Sequence, residues 1–550
     1  MSAKLNIVNT FENSTKKPIV FLVLIGLAGL LLRLVYFPYD VPLINDSEGY
    51  FWYAIDMSIL NQLPPDHSIV NNGWPSFLSV IFQLMDSNNF LDYHNMQRFV
   101  GVVFSVATVF PVYFLCSRYF KKSYSLLGAT LFIFEPKIIQ NSFLGIPESM
   151  YVFLMALLLF LFLSNSFKKI YFAFGIVALL AITKYEGLLM IIPLSVVFFI
   201  RFRRQKKDLI KYIICMSIFI LVLIPMAYLR NDTMGQDGLV SHIAAGPIHY
   251  QAAIQENIST LADFLYLGSI NLIKYLGWAQ IPSFIIFVPL GIIFIFKRLD
   301  YKKITIILSI LIMLIPAFYG YSREFQELKY LYVLYPIFCI LACFTFKIFL
   351  EKFHRKNLIF CMIIGGIILS SVIFVEWKSI DNEHFRETYQ ILIDVGQKEM
   401  KINKEFGKYG QEILFFHWVK VQDDEKFPIL KKELPSSKIT YIPLSDWCSL
   451  PDKTKIRCAF IAHFSDNLRD YLQISEEKEI THLVLDEYNN APGKYRIKHE
   501  LGLALLDIFN HENNYAFLTK EYDSKENGFN YHIKIFKIDY DLYNEWKNEN

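Results

Sequence analysis

The chain has 550 residues, 54% hydrophobic and 16% aromatic, with a mean hydropathy of +0.33 and a formal net charge of +3. A soluble globular domain is seldom this apolar, and so small a net charge carries no argument for a nucleic-acid partner. Repeated apolar runs point instead to a polytopic α-helical membrane protein, read here with about eleven transmembrane helices.

The first run, 19–37, follows Lys16, Lys17 and Pro18. It is too long for a signal-peptide core and has no small-residue cleavage site, so it is expected to be a retained first span. The connection after it, 38–98, is long. It places Asp46 and Glu48 beside Tyr50, Phe51, Trp52 and Tyr53. Acids held where a span meets water are expensive without a use; the alternative is a solvated loop whose aromatics form an interfacial belt. Further on, Gly73-Trp74-Pro75 leads an apolar stretch expected to lie along the interface as short amphipathic helices.

Further spans are expected near 99–117, 124–140, 148–164, 170–184, 186–200, 212–229, 281–296, 304–319, 330–350 and 358–375. Only Lys184-Tyr185-Glu186-Gly187 separates 170–184 from 186–200, which are either two short spans or a broken helical pair. Glu135 precedes Pro136 inside the third span, where it pairs with Lys137 or faces a water-filled cavity. The connection 231–280, with Gly235, Gly238, Gly246 and Pro247, is either an ordinary interfacial loop or a mobile lid.

Lys and Arg sort between the connections. One alternating set holds 22 of them, including Lys16, Lys17, Arg118, Arg201 and Lys302; the other holds 7, among them Lys184, Arg230, Arg323 and Lys329. The bias puts the N-terminus in the cytoplasm. An odd number of spans then sends the first connection and the C-terminal tail outside. The chain divides into a membrane domain, 1–375, and an extracytoplasmic α/β domain, 376–550. In the tail, strand-like runs at 413–416, 439–442, 482–486 and 531–538 flank a helix-like stretch, 495–509. Cys448 and Cys458 are expected in an oxidising compartment, where they suit a disulfide. The other five cysteines read as small hydrophobes, and no Cys/His cluster has zinc-ligand spacing. Without a phosphate loop or nucleophile motif, the tail suits binding or support.

Ionisable residues collect at the outer ends of the spans: Asp46, Glu48, Glu148, Lys184, Glu186, Arg230, Arg323, Glu324 and Lys329. A single cation at a span end ordinarily snorkels to the headgroups. Carboxylates and cations gathered at one interface suit a reaction that needs a base and a phosphate clamp.

The sequence here resembles the GT-C membrane glycosyltransferases, and within them the protein mannosyltransferase and aminoarabinose transferase group. That group carries Asp-Glu-x-x-Tyr in the first outer loop, with an Ala eight residues after the Asp. Asp46, Tyr50 and Ala54 fit; Ser47 replaces the usual Glu, and Glu48 follows. Pro136 through Glu148 matches a proline-to-acid segment entering the fourth span. Thr183-Lys184-Tyr185-Glu186-Gly187 resembles Thr-Arg-x-Glu-Gly, and Lys329-Tyr330-Leu331 through Pro336 resembles Arg-Tyr-Leu…Pro. None of the four segments lies in the tail.

The resemblance implies transfer of a sugar from a polyprenyl (dolichyl) phosphate to a hydroxyl of a protein, lipid or glycan, at the outer membrane face and with inversion. It implies Asp46, Glu48 and Glu148 as catalytic carboxylates, with Asp46 the base. Lys184, Arg230, Arg323 and Lys329 become the donor-phosphate clamp, and Tyr50 and Glu186 the acceptor or sugar contacts. No cofactor is certain; a divalent metal on Asp46, Glu48 and Glu148 stays open. Two alternatives stand. An oligosaccharyltransferase catalytic subunit shares the architecture, but Asp446-Trp447 does not match its Trp-Trp-Asp-Tyr-Gly signature. The sequons Asn231-Asp232-Thr233 and Asn257-Ile258-Ser259 would be its substrates. A transporter or lipid flippase would show paired repeats and mid-membrane polar groups, whereas no clear repeat is present here and most charges lie at the interface.

Overall fold

The apolar runs fold as helices, because a segment in hydrocarbon has to satisfy its own backbone donors and acceptors. The computed structural model describes residues 16–44, 46–64, 71–87, 90–203, 207–244, 261–297, 299–323, 325, 327–352, 356–395, 400–402, 439–441, 465–477, 480–487 and 499–549. They form two compact units. One takes in Met1–Phe37, Tyr50–Met85 and Met96–Trp377; the other takes in Pro38–Gly49, Asp86–Asn95 and Lys378–Asn550.

The chain opens with α1 (Lys16–Val35), α2 (Asp46–Leu60), α3 (Gly73–Gln83), α4 (Phe90–Ala107) and α5 (Val109–Cys116). Next come α6 (Lys122–Ile133), α7 (Pro136–Ser142), α8 (Glu148–Phe162), α9 (Phe167–Thr183), a 3₁₀ turn (Tyr185–Met190) and α10 (Ile191–Phe202). After them are α11 (Asp208–Met234), α12 (Val240–Ala244), α13 (Leu261–Ala279), α14 (Phe287–Ile295), α15 (Tyr301–Ser322), α16 (Tyr335–Glu351) and α17 (Lys356–Val395).

Among the described residues, seven helical stretches are long and apolar enough to cross a membrane: Lys17–Val35, Leu91–Cys116, Tyr185–Phe202, Asp208–Met234, Tyr301–Ser322, Leu328–Glu351 and Leu358–Gln390. The protein is therefore a multi-pass membrane protein. The expected spans at 124–140, 148–164, 170–184 and 281–296 are shorter helices. The run 124–140 is split by Glu135-Pro136: Glu135 is extended, with φ −70° and ψ 118°. Proline lacks an N–H and disfavours helical geometry in the residue before it. Buried Arg33 of α1 answers the break, donating to the carbonyls of Ile133 (3.0 Å) and Gly29 (3.0 Å) and to Ser105 Oγ (3.0 Å). The stretch 281–296 begins in turns, and only α14 is helical.

The expected loop at 231–280 is partly helix. α13 fills its C-terminal part and packs on α15, with Tyr275 stacked on Tyr321 at 4.9 Å and Asn271 Nδ2 donating to the Tyr321 carbonyl (3.1 Å). Asp263, Asn271 and Lys274 dilute its apolar period, which hides it from a hydropathy window. The sequon at Asn231 lies inside α11, where the Thr233 hydroxyl donates to the Leu229 carbonyl (2.8 Å). Asn257 and the core of the expected lid lie outside the described residues. The buried core of this unit centres on α16, where Ile337, Cys339, Ile340, Leu341 and Ala342 are all excluded from solvent.

In the second unit five strands form one sheet: β1 (Met400–Ile402), β2 (Ile439–Tyr441), β3 (His482–Asp486), β4 (Leu518–Asp523) and β5 (Ile533–Ile538). The order is β2-β1-β3-β5-β4; β1 runs parallel to β2 and β3, and β5 antiparallel to β3 and β4. Helices α18 (Leu468–Glu477), α19 (His499–Asn510) and α20 (Tyr540–Glu549) accompany it. Tyr471, Leu472, Leu485, Leu505, Phe517, Phe536 and Tyr543 share one core. β2, β3, β5 and α19 fall on expected runs. β1 and the charged β4 were not expected, and 413–416, Cys448 and Cys458 lie outside the described residues. α17 is unbroken across 375. Glu387 near its end accepts from Asn530 N (3.3 Å), Asn530 Nδ2 (3.2 Å) and Tyr531 N (2.5 Å).

Candidate active site

Glu148 is the first residue of α8, where unsatisfied backbone N–H groups favour a carboxylate. Lys184 is extended (φ −145°, ψ 126°) between α9 and the 3₁₀ turn. Gly187 lets that turn fold back on α9: a Cβ there would meet the Leu180 carbonyl at 2.7–2.8 Å, and its N–H donates to the Lys184 carbonyl (2.8 Å). The local fold thus explains why Lys, Glu and Gly occur at this spacing.

Three of the sequence-predicted site residues meet here. Lys184 Nζ is 3.0 Å from Glu148 Oε1 and 3.6 Å from Glu186 Oε1. The rings of Tyr151 and Tyr330 each lie 5.7 Å from the ammonium. All three charged residues are buried, at 2% (Glu148), 6% (Lys184) and 7% (Glu186) exposure. One ammonium balances two carboxylates, and burying the excess charge is costly. Among the described residues, Glu148 Oε2 and Glu186 Oε2 have no hydrogen-bond partner. Among the described residues, the cluster therefore leaves two buried acceptor oxygens open to a further donor.

The other predicted residues are placed as follows. Asp46, exposed, and Glu48, buried, both lie in the first turn of α2. Ser47 shapes that turn: its hydroxyl accepts from Ile44 N (3.2 Å) and donates to the Ile44 carbonyl (2.5 Å). The Tyr50 hydroxyl accepts from Asn71 Nδ2 (3.3 Å). Buried Arg230 donates from Nη1 to the Gly238 carbonyl (3.3 Å). Arg323 caps α15, packs its guanidinium near the rings of Phe325 (5.3 Å) and Tyr319 (5.8 Å), and has no carboxylate partner among the described residues. Lys329 is ion-paired with Glu327. Glu324 lies outside the described residues. No group of three or more His, Cys, Asp or Glu side chains among the described residues is placed to hold a metal ion.

Sequence reasoning did not single out Tyr151 or the ring of Tyr330. Tyr151 had a signal, since it follows Glu148 by three positions on one helix face. Tyr330 arrives from more than 140 residues away in sequence, with Gly320 Cα backed against its ring and Tyr321 edge-on at 5.9 Å.

Residues 77–229 match the family described as dolichyl-phosphate-mannose-protein mannosyltransferase. Over this segment, under a third of the chain, the sequence is similar to that glycosyltransferase family. The matched segment contains Glu148, Lys184 and Glu186, and the family draws its sugar from a lipid-phosphate donor. The fold is GT-C-like. The chain superposes on Archaeoglobus fulgidus oligosaccharyltransferase in complex with Zn and sulfate with a TM-score of 0.52 and 13% identity, covering 85% of this chain and 68% of that one. The apo form gives 0.51 and 11%, covering 86% and 70%. The archaeal oligosaccharyltransferase AglB from the same organism, with an inhibitory peptide and a dolichol-phosphate, gives 0.52 and 12%, covering 86% and 69%. At such identity the likeness speaks to fold alone. No curated protein sequence matches the chain.

Proposed function

We propose that the chain transfers mannose from dolichyl phosphate to a hydroxyl of a protein acceptor at the outer membrane face, with inversion. The observation that carries this reading is the pair of carboxylate oxygens on Glu148 and Glu186 that have no hydrogen-bond partner among the described residues, on side chains locked by Lys184. They suit the hydroxyls of a sugar or acceptor, which are donors. The acceptor oxygen attacks the anomeric carbon, the bond from that carbon to the phosphate oxygen breaks, and the electron pair leaves with the phosphate. The acceptor proton passes to Asp46 as general base, with Glu48 and Tyr50 on the same helix as acceptor-side groups.

The leaving phosphate needs positive charge. Arg323, with no carboxylate partner among the described residues, is the leading clamp, aided by Arg230 and Lys329. Lys184, already engaged by two carboxylates, serves chiefly to hold them. Residues 1–375 carry the transfer, and 376–550 form an outer domain that supports or binds the acceptor; the Lys and Arg sorting supports a cytoplasmic N-terminus.

The test is to incubate the purified chain with polyprenyl-phosphate sugars, with and without EDTA, and to identify product and anomer. The reading expects a hydroxyl-linked product of inverted configuration from the mannosyl donor, lost in Asp46→Asn. An asparagine-linked product would instead favour oligosaccharyltransferase chemistry. Label carried across vesicles without any product would favour transport.

A further inference from the structure

We infer that the tetrapeptide Asn71-Asn72-Gly73-Trp74 is a positioning device that sets the geometry of the Glu148–Lys184–Glu186 cluster from the first connection. The inference rests on the reading of that cluster as part of the transfer site. Four consecutive residues each engage a different wall of the site. Asn71 Oδ1 accepts from the backbone N–H of Tyr185 (3.2 Å), the residue between Lys184 and Glu186, while its Nδ2 donates to the Tyr50 hydroxyl. Asn72 Nδ2 donates to the Tyr53 hydroxyl (2.5 Å), one turn further along α2. Gly73 lies so close to the end of α9 that a Cβ would meet Thr183 N at 2.9 Å and the Ile182 carbonyl oxygen at 3.0 Å. Buried Trp74 donates from Nε1 to the Gly145 carbonyl (3.0 Å), three residues before Glu148.

The loop at Gly145 is held from a second side as well. Gln97 Nε2 donates to the same carbonyl (2.7 Å) and Arg98 Nε to that of Phe143 (3.0 Å). Gly145 itself has φ +71°, so the loop is a sharp turn fixed by three side-chain donors. Within the tetrapeptide, the hydrogen bonds run to backbone and tyrosine groups around the three charged side chains. They fix both backbone segments from which the charges project, and join them to the helix that carries Tyr50 and Tyr53. A displacement of such segments by about 1 Å can cost about 100-fold in rate. The tetrapeptide thus acts on turnover through placement of Glu148 and Glu186.

The experiment compares full-length wild type with Asn71→Leu, Asn71→Asp, Trp74→Phe and Glu148→Gln. All are reconstituted in nanodiscs and supplied with dolichyl-phosphate mannose as the donor probe and a hydroxyl-bearing peptide as acceptor, and release of dolichyl phosphate is followed. Asn71→Leu removes both hydrogen bonds, whereas Asn71→Asp keeps the acceptor for Tyr185 N–H. Trp74→Phe removes only the indole N–H. Expected are a kcat loss of about 10–100-fold in Asn71→Leu and Trp74→Phe, donor KM within about twofold, and recovery to within about threefold in Asn71→Asp. The thermal midpoints should match wild type. Wild-type kcat in both Asn71→Leu and Trp74→Phe beside an inactive Glu148→Gln would overturn the positioning role and leave the cluster standing. A kcat loss that follows a lowered midpoint and is not recovered by Asn71→Asp would reduce the tetrapeptide to a structural element. Wild-type turnover in Glu148→Gln would remove the cluster reading, and the positioning role with it.

Discussion

At the scale of single residues, Lys184 holds the most informative position. A buried cation between two carboxylates is expensive to break, because removing it leaves like charges facing each other in a dry site; breaking such pairs typically costs about 3–5 kcal/mol. Lys184→Ala is therefore expected to lower the thermal midpoint and abolish transfer, while Lys184→Arg retains part of both. A thermal scan and a donor-turnover assay on each variant check this, and a Lys184→Ala chain as stable and active as wild type would contradict it. The resemblance to Thr-Arg-x-Glu-Gly supports the conservative arm. Glu148, Lys184 and Glu186 were legible in the sequence because each sits in a short local motif with its own proline or glycine. Their meeting was not legible, since the approach of α8 to the turn after α9 is a matter of packing. Asn71 was invisible for the same reason, as was the approach to Lys184 of Tyr330, a residue of the Lys329-Tyr330-Leu331 segment: both contacts are long-range.

At the scale of elements, two devices carry expectations. Arg33 satisfies the carbonyl of Ile133, next to the break that separates α6 from α7. Losing its buried hydrogen bonds is expected to cost about 1–3 kcal/mol for each group left unsatisfied. Arg33→Leu should then unfold at a lower temperature in detergent, with Arg33→Lys between; an unchanged midpoint would show that the break needs no such support. The break was not expected, because the apolar run 124–140 continues on both sides of Glu135-Pro136. Neither was α13, because its polar residues dilute a helical apolar pattern, nor were β1 and β4, being short or charged.

The β4–β5 hairpin carries the pH dependence. Burial is the largest influence on His532 and holds its pKa below the usual 6.5, although Asp523 at 2.9 Å pulls the other way. Burial alone would raise the Asp523 pKa, but the charges of His532 and Lys520 and the N–H of Lys525 outweigh it and bring it below 3.8. Neutral His532 and ionised Asp523 are both favoured by the fold. The histidine contribution is complete above pH 6.5 and is lost as pH falls through its lowered folded value; the aspartate contribution follows below 3.8. Hydrogen exchange of the β4–β5 amides should therefore accelerate as pH falls below 6.5, after correction for intrinsic rates. Exchange that slows on acidification would contradict the assignment, and His532→Gln should flatten the upper limb.

At the scale of the whole molecule, composition and loop charge gave a multi-pass membrane chain ending in a small α/β domain, and helices occupy the expected runs. Seven of the eleven expected spans are long enough on their own. Of the rest, 124–140 and 281–296 are interrupted by proline or turns, which window averages smooth over, and 148–164 and 170–184 are single helices of 15 and 17 residues. The sidedness argument makes its own prediction. A single cysteine placed at exposed Glu526, in a background without the native cysteines, should react with an impermeant maleimide on intact cells. Labelling only after permeabilisation would put the tail inside and reverse the orientation.

The central claim, that a lipid-phosphate sugar is transferred at the Glu148–Lys184–Glu186 cluster, is tested most directly by one rate. Purified chain is mixed with labelled dolichyl-phosphate mannose and a hydroxyl-bearing acceptor peptide, and release of dolichyl phosphate in a single turnover is compared between wild type and the Glu148→Gln/Glu186→Gln pair. Misplacing the reacting groups that these carboxylates hold costs about 100-fold, so a fall of at least about 100-fold is predicted; release at the wild-type rate would contradict the account.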